Sequence, residues 1–112
     1  MSNRVKDLRS ALELLADMPG RLIETDVEVE PMAELSGVYR HIGAGGTCMR
    51  PTKEGPAMIF HNVKGHPDAR VAIGVLASRK RVGALLDCEP ENLGKLLYHS
   101  VEKPIPPVIT SK

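Results

Sequence analysis

Val71–Leu76, VAIGVL, is the segment that most narrows the folds open to this chain. A continuous apolar run of that length fits a strand covered on both faces, which belongs inside a layered domain. The run leads into Ser78-Arg79-Lys80-Arg81, and Val82, Leu85 and Leu86 then resume the apolar character at helical spacing. Ser78 is a helix N-cap, because its hydroxyl oxygen can accept a first-turn N–H that lacks a carbonyl partner. Strand, cap and helix therefore follow one another directly.

Upstream, Val5, Leu8, Leu12 and Leu15 recur at helical spacing, with Ala11 and Leu14 widening the stripe. Ser2 or Asn3 can cap this helix, and Pro19-Gly20 ends it. The next segment, RLIETDVEVE, sets Ile23, Thr25, Val27 and Val29 on one side and Glu24, Asp26, Glu28 and Glu30 on the other. That alternation predicts a half-buried strand with a wetted acidic face. Pro31 suits the first turn of a second helix, striped by Met32, Leu35, Val38, Tyr39 and Ile42. The helix runs into GAGG (Gly43 to Gly46), which reads as a C-cap and loop. A dinucleotide fingerprint needs the opposite order, strand then glycines then helix.

Residues 43–56 form one long loop, a length that in compact domains is often functional or docked. AMIFHNV (Ala57 to Val63) is the next strand, and KGHPDA turns the chain. Pro90 opens a last helix with Leu93, Leu96, Leu97 and Val101. The order α-β-α-β-β-α-α predicts an α+β domain over residues 1–103, a small mixed sheet of about three strands packed with about four helices. Residues 104–112, with Pro104, Pro106 and Pro107, predict an extended tail or linker.

At 112 residues the chain is one domain with a thin core. Its 15 Lys and Arg against 14 Asp and Glu leave no global field to draw in nucleic acid. Phe60, Tyr39 and Tyr98, with no Trp, provide few stacking platforms for single-stranded nucleic acid. Cys48 and Cys88 follow no signal peptide, and no apolar window reaches the length of a membrane span. A cytoplasmic protein with both thiols reduced is expected.

The candidate sites are few. Four like-charged carboxylates on the acidic strand face, without a nearby His, make no ligand set. His41, His61, His66 and His99 stand in neither HxxxH nor CxxC spacing, and no nucleophile is paired with a base. Catalytic, cofactor-binding and metal residues are therefore assigned to none. Ser78, Arg79, Lys80 and Arg81 have two readings: an anion held by free N–H groups and arginines, or a Ser cap followed by solvated cations. Cations in a first helical turn oppose the helix dipole. That mismatch points to Arg79 or Arg81 meeting a carboxylate or phosphate elsewhere, with an inter-domain ion pair preferred over a small anion. A helix-turn-helix reading of the last two helices offers only Lys95 and His99 as base-edge readers.

Several stretches resemble a known family in order and spacing: DLRSALELLADMPGRLIETDVEVEPMAEL, YRHIGAGG and RPTKEGPAMIFHNVKGHPDARVAIGVLASRKRVGALL. Together they resemble the N-terminal domain of UbiD-type decarboxylases, nearest the hydroxybenzoate branch (protocatechuate- and gallate-type), over residues 6–109. The resemblance implies reversible, non-oxidative decarboxylation of aromatic or α,β-unsaturated acids. It also implies prenylated FMN with a divalent metal and potassium, the flavin coming from a separate flavin prenyltransferase. The electron-sink chemistry is the cofactor's, while protein positions substrate and handles protons. The family's cofactor, metal and catalytic residues lie in a later domain, so none is carried onto this chain. The expectation is an N-terminal fragment or split subunit that binds no cofactor alone and needs a flavin-domain polypeptide in trans. The alternative is a stand-alone interaction or anion/nucleic-acid-binding domain without catalysis. An apolar patch left where a neighbour would pack predicts self-association.

Overall fold

The computed structural model describes residues 4–44 and 54–111. Its elements are α1 (Leu8–Asp17), β1 (Leu22–Thr25), α2 (Glu34–Ala44), β2 (Ala57–Phe60), β3 (Val71–Ile73), α3 (Arg79–Leu85) and α4 (Leu93–Glu102), with a 3-10 turn, Pro90–Asn92, leading into α4. The sheet order is β1-β2-β3. β1 runs parallel to β2, with Leu22 opposite Ala57 and Thr25 opposite Phe60, and β2 pairs antiparallel with β3, with Phe60 opposite Val71. This is the mixed three-stranded sheet with four helices that the sequence pattern predicts.

α1 is capped by Asp7; Ser2 and Asn3 lie outside the described residues. The Asp7 carboxylate accepts the Ser10 N–H at 2.8 Å, and the Ser10 hydroxyl accepts the Asp7 N–H at 3.1 Å. This reciprocal capping box satisfies two donors that the first turn leaves free.

The strand buried on both faces is β2, whose four residues are all buried. VAIGVL instead supplies an edge strand that ends at Ile73, because Gly74 turns the backbone into the left-handed region at φ 76°. Leu76 is exposed. Two apolar runs of similar character competed for the central place, and the parallel pairing of β1 with β2 decides it.

Alternation along β2 feeds two cores. Met58 and Phe60 point to α2 and pack with Val29, Leu35 and Val63, flanked by Val38, Tyr39, Val71 and Ile73. Ala57 points the other way, against Ala11 and Leu15 of α1 and Leu85 of α3. Leu15 and Phe60 have no exposed surface, and each such side chain contributes about 1.5–3 kcal/mol.

The predicted strand over 21–30 is shorter than its alternation suggests. β1 stops at Thr25, and both Ile23 and Val27 are exposed. Val29 is buried and rejoins the sheet through an isolated parallel bridge to Val63, its N–H donating to Asn62 O at 3.0 Å. Alternation fixes which residues share a side; a covering element decides whether that side is dry. Val29 is dry because it packs with Leu35 of α2.

Pro31 lies in a turn before α2 rather than in its first helical turn, and Ala33 has φ 73°. Leu35 is buried while Met32 and Ile42 are exposed. Gly43 belongs to α2, whereas Gly45 and Gly46 and residues 47–53 of the expected loop lie outside the described residues. Residues 103–111 carry neither helix nor strand. No helix among the described residues is long and apolar enough to cross a membrane.

Candidate functional site

The Ser78–Arg81 segment forms where the chain leaves β3. After Gly74 the backbone turns, with Ala77 N–H donating to Gly74 O at 3.2 Å, and Ser78 then takes an extended conformation. Its hydroxyl oxygen accepts the Arg81 N–H at 3.3 Å, the N-cap expected from the sequence. The cap starts α3, and its geometry carries the Arg81 side chain inward. Arg81 is 1% exposed.

The Arg81 guanidinium bridges two backbone segments, donating to Gly74 O at 2.9 Å and to Gly55 O. Nε is the one nitrogen of the group without a hydrogen-bond partner among the described residues. Burial pushes the guanidinium below the ordinary arginine value, while Tyr39 and Glu54 favour its charged form. The carboxylate of Glu54 lies beside this bridge. It accepts from the Ser78 hydroxyl and from Arg21 Nη1 at 3.2 Å. The Ser78 hydrogen bond holds the Glu54 carboxyl below the usual glutamate range, helped by the charges of Arg21 and Lys80.

Close approach fixes these partners. A Cβ on Gly55 would collide with the backbone of Gly43 at the end of α2, and a Cβ on Gly74 would collide with the Tyr39 ring. The cluster thus ties α2, the chain before β2, the end of β3 and the start of α3 to one buried cation. The other cations face outward: Arg79 is exposed and donates to Pro90 O at 3.1 Å, and Lys80 is exposed.

Of the four residues singled out in the sequence, two enter this internal tie and two stay at the surface. The Arg81 donors meet carbonyls, and the Ser78 proton meets a carboxylate already in the chain. The missed participants are Glu54, Gly55 and Tyr39. They are remote in sequence, and the GPAMIF segment alone gives no signal for a carbonyl aimed at an arginine.

Elsewhere, His61 Nε2 lies 3.3 Å from Glu24 Oε1 across the β1–β2 pair. No group of three or more His, Cys, Asp or Glu could hold a metal among the described residues. An open groove of about 730 Å³ separates α1 from the sheet, lined by apolar groups such as Leu12, Ile59 and Ala72 and by charges of both signs, including Arg9, Arg70 and Glu24. The Ser78–Arg81 segment does not line it.

Fold, strand order and residue pattern together define a class. Residues 14–101 match the family of the 3-octaprenyl-4-hydroxybenzoate carboxy-lyase N-terminal domain, and the chain belongs to this UbiD N-terminal domain family. It is 54% identical over 107 residues to the gallate decarboxylase of Lactiplantibacillus plantarum, covering 96% of this chain and 22% of that protein. The apo crystal structure of Klebsiella pneumoniae 3,4-dihydroxybenzoic acid decarboxylase superimposes with a TM-score of 0.82 at 50% identity, over 92% of this chain and 21% of that one. The apo 3,4-dihydroxybenzoic acid decarboxylase of Enterobacter cloacae gives 0.84 at 52% identity, over 96% and 22%. The chain therefore spans about a fifth of the length of these relatives.

The Arg81 cluster does not fit the flavin nucleotide that the resemblance implies. The buried guanidinium already serves two carbonyls, and Glu54 beside it would repel a phosphate.

Proposed function

We propose that this chain is the scaffold domain of a hydroxybenzoate-type, non-oxidative decarboxylase. In this reading, prenylated FMN, a divalent metal and potassium are held by a flavin-domain polypeptide that works with it. A flavin prenyltransferase supplies the cofactor, and the assembly acts in the cytoplasm. The observation that carries the proposal is 54% identity to a gallate decarboxylase across 96% of the chain. The domain contributes rigidity rather than reacting groups: the buried Arg81 tie fixes α3, leaving Arg79 and Lys80 exposed as cations for contact with a neighbouring domain.

The test combines the purified chain with a prenyl-FMN-loaded flavin-domain polypeptide from a relative. Carbon dioxide release is followed with 3,4-dihydroxybenzoate and with gallate. The chain alone is expected to be colourless and inert, and the mixture to turn over. Turnover by the chain alone, or a flavin-domain rate indifferent to its addition, overturns the proposal.

A further inference from the structure

We draw no further inference here: the strongest candidate, the open groove between α1 and the sheet lined by Leu12, Ile59, Ala72, Arg9 and Arg70, carries none, because its charges are of both signs and nothing in the structure shows what covers it.

Discussion

The Arg81 guanidinium donates to the carbonyl of Gly74 at 2.9 Å, seven residues back in the chain, and thereby locks the exit of β3 to the start of α3. The same group reaches Gly55. Replacing Arg81 with Met keeps the apolar stem but leaves both carbonyls without their buried donor. We expect a loss of about 2–4 kcal/mol, read from the urea midpoint at unchanged m. Arg81→Lys should recover only part of it, because a single ammonium does not reproduce the planar fork. A wild-type midpoint in Arg81→Met would refute the bridging role.

Gly74 and Tyr39 form a second tight relationship. Gly74→Ala places a Cβ against the Tyr39 ring and holds an L-residue at φ 76°. The expected cost is about 2 kcal/mol or more. Tyr39→Leu should relieve the collision but not the dihedral strain, so a double-mutant cycle should show favourable coupling with incomplete rescue. Strict additivity would place the ring elsewhere.

Stability should also depend on pH through Glu54 and Asp7. The Glu54 carboxyl is lowered chiefly by its Ser78 hydrogen bond, and the Asp7 carboxyl by hydrogen bonds from Ser10. Each binds a proton less readily folded than unfolded. Their contribution is therefore complete above the ordinary carboxylate range and is lost as pH falls through the folded values. Glu54→Gln and Ser78→Ala should each flatten the acid limb of a pH–stability curve. An acid limb unchanged in both would remove Glu54 from the account.

Gly37 offers a gain. It lies inside α2, and a Cβ there would meet nothing within 4 Å. Gly37→Ala should stabilise by about 0.5–1 kcal/mol, seen as a rise of a few degrees in Tm. A fall in Tm would mean that the space is occupied.

The sequence was most legible where the signal is local. The Ser78 cap and the apolar start of AMIFHNV need only neighbouring residues, although β2 ends at Phe60 rather than Val63 and Pro90 opens a 3-10 turn while α4 itself begins at Leu93. Family membership was readable from the order of its longer words. It was least legible where distant segments choose one another. Ser-Arg-Lys-Arg does not say which arginine goes inside; the Gly55 and Gly74 carbonyls decide, and they converge only after β2 and β3 pair. AMIF and VAI are equally apolar, and only β1 selects AMIF as the middle strand. D-x-x-S at Asp7 was a readable cap, overshadowed by the apolar Val5 before it.

The mixed strand order also bears on how the chain reaches its native state. Pairing Phe60 with Val71 encloses only residues 61–70, whereas pairing Leu22 with Ala57 must first enclose all of α2. Shorter closures lose less chain entropy, so the β2–β3 hairpin is expected to form before β1 joins it. Val71→Ala should accordingly slow folding more than Leu22→Ala does, relative to the stability each removes, while Leu22→Ala should act mainly on the unfolding rate.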